Sequence, residues 1–252
     1  MPILALFAAA ALLIPAAHAD EPAIIAKARA YLAPESAFAA MQTLHFTGKY
    51  VQSNVDFPDD RTKDVTRSVE IFFEKPSRER IVVTVPGKVI ETAVDGYDGW
   101  QRTRDPADPT SARRVLLGAE VTENLRADTW ENLYFYRGIE RVGGRVEDDG
   151  AAIVDGVACE KVAFIHSPTI VYFRYFDQAT GRLVVTATAA GVTIREKGEL
   201  ISGGIRFPRQ IITRQSDSTG GMRTSTYTFD SVAVNESMPD SFFTVPLSAT
   251  AP

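Results

Sequence analysis

Apolar and polar side chains alternate along much of the chain, which is the period of a β-strand with one buried face. The alternation is clearest in residues 67–75, where Val69, Ile71 and Phe73 share one side and polar residues occupy the other. Residues 45–53, 80–85 and 89–94 read in the same way, and Lys75-Pro76-Ser77 is a short connection within this set. The pattern predicts neighbouring antiparallel strands.

Further strands are predicted in the second half of the chain, where the alternation recurs between short polar turns. The candidates are residues 152–154, 159–166, 170–177, 183–189, 193–201, 205–215 and 223–232. Strands at this spacing, joined by short turns, indicate one antiparallel sheet. A sheet of about ten strands has to curl, twist or split.

Two segments show the helical period instead. The first runs over residues 22–44 with an interruption at Pro34. The second covers residues 115–136, after a Pro- and Asp-rich loop expected at residues 105–111. Because an apolar stripe must cover another surface, we expect that of the second helix to face the concave side of the sheet. The stripe consists of Leu117, Val121, Leu125 and Leu133.

The apolar strand faces allow two interpretations. They either pack into an ordinary core covered by the helices, or they line a half-barrel whose concave face is only partly filled. Apolar strand faces usually pack, so the residues alone favour the ordinary core.

The N-terminal segment predicts export. Residues 3–14 are almost entirely apolar, and Ala17-His18-Ala19 places small residues before a charged Asp20. This is typical of a signal peptide over residues 1–19, cleaved between Ala19 and Asp20; the alternative is a buried N-terminal helix. No cysteine sits at the cleavage point, where Asp20 follows Ala19, so we expect a soluble periplasmic protein without a lipid anchor. Residues 20–252 contain no Pro- or Ser-rich linker, which favours a single domain.

Charge and cysteine content narrow the class of protein. The net charge is −5, which argues against nucleic acid as a partner. Cys159 is the single cysteine, so no disulfide can form within the chain, as suits a bacterial periplasmic protein with its own core. Its strand-like surroundings predict a small buried side chain rather than a reactive thiol.

The sequence offers little catalytic chemistry. His45 and His166 are the only histidines after the signal segment, and neither belongs to a metal-binding spacing. His166 precedes Ser167-Pro168, where we expect a solvated turn. The chain has no nucleophile elbow and no phosphate-binding loop. We therefore expect no enzymatic activity, no cofactor and no metal.

Several short motifs follow one another along the chain, among them an Asp-Gly turn before Trp100 and a D-x-x-T-G hairpin that begins at Asp177. The full set lies in residues 44–50, 70–76, 80–83, 98–100, 154–159, 175–183, 204–208 and 235–246. In this order and spacing, the motifs resemble those of the LolA/LolB-like superfamily of periplasmic lipoprotein carriers.

The resemblance implies a mainly β fold with α-helices: an incomplete antiparallel β-barrel whose helices cover an apolar concave face. It implies a carrier of lipid or lipoprotein acyl chains, including outer-membrane lipoprotein sorting. The alternative is a non-enzymatic envelope sensor or interaction module with a protein partner. We expect a monomer. The candidate cavity residues are Phe46, Tyr50, Val69, Ile71, Phe73, Ile81, Val83, Val85, Leu125, Leu133, Val171 and Phe173.

Overall fold

The structure is a computed structural model that describes residues 21–54, 65–216 and 221–246. The predicted signal segment and its cleavage point, Ala19 and Asp20, lie outside the described residues.

Within those ranges the chain forms three α-helices: α1 (Ala23–Leu32), α2 (Glu35–Ala40) and α3 (Ala119–Tyr134). The first strands are β1 (Thr43–Asn54), β2 (Val65–Glu74), β3 (Arg78–Val85), β4 (Lys88–Asp95), β5 (Asp98–Asp105) and β6 (Asp108–Leu116). After α3 come β7 (Arg145–Val154), β8 (Val157–Ile165), β9 (Val171–Asp177), β10 (Leu183–Thr188) and β11 (Thr193–Lys197). The last are β12 (Leu200–Ser202), β13 (Ile205–Phe207), β14 (Gln210–Ser216) and β15 (Met222–Val234).

Thirteen of these strands form one antiparallel sheet in the order β6-β5-β4-β3-β2-β1-β15-β14-β11-β10-β9-β8-β7. The first and last strands of the chain meet in the middle, since β1 pairs with β15. Strands β6 and β7 are the two edges, so the sheet does not close. Strands β12 and β13 form a separate small hairpin. The predicted class, mainly antiparallel β with an unclosed sheet, is confirmed.

The strand count exceeds the expected ten for two reasons. The predicted strands 193–201 and 205–215 are each divided into two, giving β11 and β12, and β13 and β14. In addition, one predicted loop is the tip of a hairpin. Strands β5 and β6 flank the Pro- and Asp-rich residues, and Asp105 pairs with Asp108 across the turn. The prediction of an extended loop at 105–111 was therefore wrong. Strand β6 extends to Leu116 and so includes the first residues of the predicted helix. Helix α3 therefore begins at Ala119 instead of residue 115.

This shift changes which side of α3 is buried. Leu117 precedes the helix, and Val121 is 50% exposed, so neither the start nor the full stripe was predicted correctly. The buried face consists of Thr122, Ala127, Thr129, Trp130, Glu131 and Leu133. Leu125 is half-buried. The helix reaches from β5, where Gly99 lies against Thr122, to β9, where Arg174 contacts Glu131.

The interior contains two clusters of buried side chains. One joins Phe38, Leu44, Phe46, Phe73 and Phe229 beneath α2 and the end of α3. The other places Ile24 and Ile25 of α1 against the β8–β9 half of the sheet.

The β9–β10 turn fixes α1 in place. Gly181 has φ +77°, and an added Cβ would lie 2.6 Å from the backbone of Lys27, so only glycine allows this approach. Cys159 is fully buried, as predicted.

Candidate functional site

A cavity of about 340 Å³ lies between the concave face of the sheet and the C-terminal end of α3. One wall is apolar and comes mainly from β1, β2 and β3 with the β13 and β15 aromatics. Its side chains are Leu44, Phe46, Ile71, Phe73, Ile81, Phe207 and Phe229.

A second part of the lining, the polar wall, was not predicted by the alternation. It is built by α3 and by strands β3, β9, β10 and β11. Its side chains are Glu79, Asp128, Glu131, Tyr172, Arg174, Thr186 and Glu196. The cavity is thus amphipathic.

Four of the predicted cavity residues line the cavity: Phe46, Ile71, Phe73 and Ile81. The others on β2 and β3 share their face, since Val69 pairs with Val83 two residues beyond the Ile71–Ile81 pair. These residues and Val85 lie beyond the lining.

The remaining aromatic and helical candidates sit beside the cavity. Tyr50 packs on Tyr227 with ring centroids 4.8 Å apart, and Tyr227 itself lines the cavity. Leu133 is buried in the cluster below α2, and Leu125 does not reach the lining.

The two candidates on β9 lie on the other face of the sheet. Tyr172 and Arg174 line the cavity, and successive side chains of a strand point to opposite faces. Val171 and Phe173 therefore point away from it, and Phe173 instead contacts the Lys161 ammonium, 4.4 Å from the ring centroid. Alternation showed which residues share a face, but not which face is concave.

Arg29 of α1 holds the end of α3 over the cavity. Its Nη1 donates to the backbone oxygens of Tyr134 at 2.8 Å and Phe135 at 2.6 Å, at a helix end where carbonyls lack intrahelical partners. The Tyr134 oxygen also accepts from the Arg137 N–H at 3.3 Å. The other nitrogens of Arg29 bind the carboxylate of Glu35.

Beyond this point the chain turns sharply into the cavity. Phe135 and Tyr136 have φ of 48° and 75°, a region that bulky side chains rarely adopt, and both line the cavity. Backbone strain of this kind is held in place by surrounding contacts and gathers at functional sites.

A buried ion network joins α3 to the far half of the sheet. Glu131 contacts Nη1 of Arg174 through one oxygen, and its other oxygen lies 2.6 Å from Nε2 of His166. Burial raises the pKa of Glu131, but the neighbouring Arg174 and His166 outweigh it and the pKa falls below its ordinary value. The His166 side chain is only 8% exposed, so the expected solvated turn was wrong for this residue.

The other carboxyl groups of the polar wall lack such partners. Burial, and then the charge of Glu131, raises the pKa of Asp128 to about 6. Burial, and then Asp128, raises the pKa of Glu79 well above its ordinary range. Burial also raises the pKa of Glu196, against the effect of Arg174. Asp128 and Glu196 are exposed, because they face the open cavity, so solvent limits the effect of burial on both.

One residue of this wall could have been recognised from the sequence. Arg174 interrupts an otherwise apolar strand, and a charge in such a position is uncommon inside a protein unless paired. Glu131, Asp128 and Glu196 look like ordinary surface residues in sequence, because their surroundings come from distant strands.

Three solved structures show what the chain resembles. A DUF1329 family protein from Desulfovibrio piger superposes with a TM-score of 0.54 at 13% identity, covering 88% of this chain and 96% of its own. A LolA superfamily protein from Nitrosomonas europaea gives 0.55 at 12% identity, covering 86% and 97%. A putative outer membrane lipoprotein-sorting protein domain from Vibrio parahaemolyticus gives 0.55 at 10% identity, covering 87% and 95%.

At these identities the likeness shows the fold alone: the chain has a LolA-like fold. No protein-family model matches the sequence, and no curated protein does. Across the described ranges, no helix is both long and apolar enough to cross a membrane.

Proposed function

We propose that this protein is a periplasmic carrier that holds the acyl chain of a lipid or lipoprotein in the cavity beneath α3. The observation that carries the proposal is the apolar wall formed by Phe46, Ile71, Phe73 and Ile81 around an open volume of about 340 Å³. Ligand pockets begin at about 300 Å³, so the cavity accommodates part of an acyl chain.

The energetics favour a hydrocarbon occupant. Each methylene moved from water into an apolar site contributes about 0.8 kcal/mol, so a chain gains affinity along its whole length. The LolA-like fold supports the proposal, since one protein of that fold is described as lipoprotein-sorting. The proposed role is binding and release, without chemistry on the ligand.

Two measurements test the proposal. Lipid extracted from the purified protein should be detected by mass spectrometry, and a fluorescent fatty acid should bind with saturation. Ile71→Trp fills the cavity without adding charge and should reduce probe binding while the circular dichroism spectrum is preserved.

Ile153→Trp is the matched control, because Ile153 is 81% exposed on β7 and should leave probe binding unchanged. If the wild-type protein yields no lipid and binds no acyl probe, the carrier proposal fails.

The second candidate is a non-enzymatic sensor or interaction module. It is favoured by apolar side chains at the β6 edge, where Leu116 is 71% and Val115 39% exposed. An unpaired edge strand can accept a strand from a partner. This role would be supported if the wild-type protein binds no acyl probe but binds an envelope protein, and if Leu116→Lys abolishes that binding.

A further inference from the structure

We propose that the ligand of this cavity is an amphiphile with a protonated amine in its head group, bound between the carboxylates of Glu79 and Asp128. Its hydrocarbon chain would lie along the apolar wall. The inference rests on the proposed function, because it names the class of ligand for the same cavity.

Glu79 provides the buried end of this site. It is 1% exposed and lines the cavity. In the described part of the chain, its side chain has one hydrogen-bond partner, the Thr129 hydroxyl, whose Oγ1 lies 2.7 Å from Oε2. That hydroxyl has a single proton to donate and also lies 2.7 Å from the Leu125 carbonyl oxygen. Oε1 therefore accepts no hydrogen bond from any residue in the described ranges. A buried carboxylate without a compensating partner is costly, and an ammonium group offers both the charge and three donors.

Asp128 provides the second carboxylate. It precedes Thr129 on α3, so the contact between Thr129 and Glu79 brings this part of the helix to the Glu79 side of the cavity. The Asp128 side chain also accepts no hydrogen bond from any residue that the structure describes, and it lines the cavity. Glu131, one turn further on, is already occupied by Arg174 and His166.

The sign of the charge in the cavity selects the head group. Four carboxyl groups line it, from Glu79, Asp128, Glu131 and Glu196, against the guanidinium groups of Arg174 and Arg206. Arg174 is paired with Glu131, and Arg206 is paired with Glu199. The pKa values of Glu79, Asp128 and Glu196 are raised because burial penalises their charged forms. A cation beside them would favour the ionised carboxylates, whereas an anionic head group would disfavour them.

The arrangement favours an organic cation over a metal ion. Among the residues in the described ranges, no three His, Cys, Asp or Glu side chains converge closely enough to hold a metal. Two carboxylates beside an apolar wall instead match an ammonium attached to a chain.

Calorimetric titration with dodecylamine, dodecanol and dodecanoate at equal chain length tests the proposal. At pH 7.5 the amine should bind about tenfold or more tightly than the alcohol, since hydrogen bonds between charged groups exceed neutral ones. Dodecanoate should bind most weakly. Asp128→Asn and Glu79→Gln should remove the advantage of the amine and leave binding of the alcohol within about twofold.

The control is Glu120→Gln, which removes the same charge from the exposed first turn of α3 and should change neither affinity. Preference for the amine should also fall as the pH drops from 7.5 to 5, because protonation of Asp128 removes its charge while the alkylammonium stays charged. The titratable and charged groups that interact with Asp128 are Glu79, Glu131, Arg174, His166, Tyr172 and Tyr227.

The outcomes separate this inference from the carrier proposal. The amine site is overturned if the wild-type protein binds the amine and the alcohol equally. It is also overturned if Asp128→Asn and Glu79→Gln weaken binding of the amine and of the alcohol to the same extent. Either result leaves the carrier proposal standing. Amine binding that Glu120→Gln weakens as much as Asp128→Asn reflects general attraction to an acidic surface and also overturns it. If none of the three probes binds, the carrier proposal fails as well.

Discussion

At the scale of single residues, Arg29 connects two helices through one side chain. Arg29→Met keeps most of the aliphatic stem but removes the donors to Tyr134, Phe135 and Glu35. Because Arg29 is 5% exposed, the carbonyls left behind are partly shielded from water. We expect the free energy of unfolding in urea to fall by about 2–4 kcal/mol.

Arg145→Met is the comparison for this loss. The Arg145–Glu147 pair has the same 2.6 Å separation, but its side chains are 64% and 52% exposed. Exposed pairs contribute little, so the change should stay within about 0.5 kcal/mol. Equal losses in the two variants would contradict the role assigned to Arg29.

Asp128 should make stability depend on pH. Its pKa is raised to about 6 in the folded protein from about 3.9 in the unfolded chain, so the folded state binds the proton more tightly. The stabilising effect of that proton is present below the unfolded pKa and is lost as the pH rises through about 6. The free energy of unfolding of Asp128→Asn, relative to that of the wild type, should therefore increase from pH 4.5 to pH 8.

The gain should be about 1 kcal/mol, because a pKa unit is worth about 1.4 kcal/mol and water in the cavity screens the charge. Urea titrations of both proteins at the two pH values measure it. A difference between them that does not vary with pH would show that Asp128 keeps an ordinary pKa.

At the scale of elements, α3 packs tightly on β5 where Thr122 contacts Gly99. A Cβ on Gly99 would lie 2.4 Å from Oγ1 of Thr122, so Gly99→Ala should push the helix away and cost about 1–3 kcal/mol. Adding Thr122→Ala should recover part of that loss. The changes are measured by urea denaturation.

Gly118→Ala is the matched substitution, since nothing lies within 4 Å of its added Cβ and its φ of −67° suits any residue. Gly118 is the N-cap of α3, where alanine caps less well than glycine, but the less flexible unfolded chain offsets this. The change should therefore stay within about 1 kcal/mol. If Thr122→Ala and Gly99→Ala were simply additive, the steric contact would not be the cause.

The elements also show what alternation can and cannot predict. The alternation of apolar and polar residues correctly predicted β2 and β3. It also placed Ile71, Phe73 and Ile81 on one face, because those strands are apolar on the concave side. It misplaced Val171 and Phe173, because β9 carries Arg174 on the concave side and apolar residues on the other. The identity of the inner face depends on α3, which contributes Glu131 to neutralise Arg174. No local pattern contains that pairing.

At the scale of the molecule, the two ends of the chain determine the continuity of the sheet. Strand β1 joins β2 on one side and β15 on the other, so the halves of the sheet meet at the first and last strands. The unpaired edges, β6 and β7, are consecutive in sequence, and α3 between them crosses from one half to the other. The same connection that leaves the barrel open therefore covers its cavity.

The N-terminal boundary gives the last prediction, a mature chain that begins at Asp20. Glu21 binds Arg137 through both carboxylate oxygens, at 2.6 and 2.7 Å, and α1 buries Ile24 and Ile25. A chain of residues 20–252 should therefore melt within about 2 °C of the exported protein, whereas residues 35–252 should lose several kcal/mol through the missing isoleucines. N-terminal sequencing of the exported protein should read Asp20-Glu21-Pro22. Recovery of soluble protein that retains Met1 would contradict the predicted N-terminus. Full stability of residues 35–252 would contradict the role of α1 in the fold.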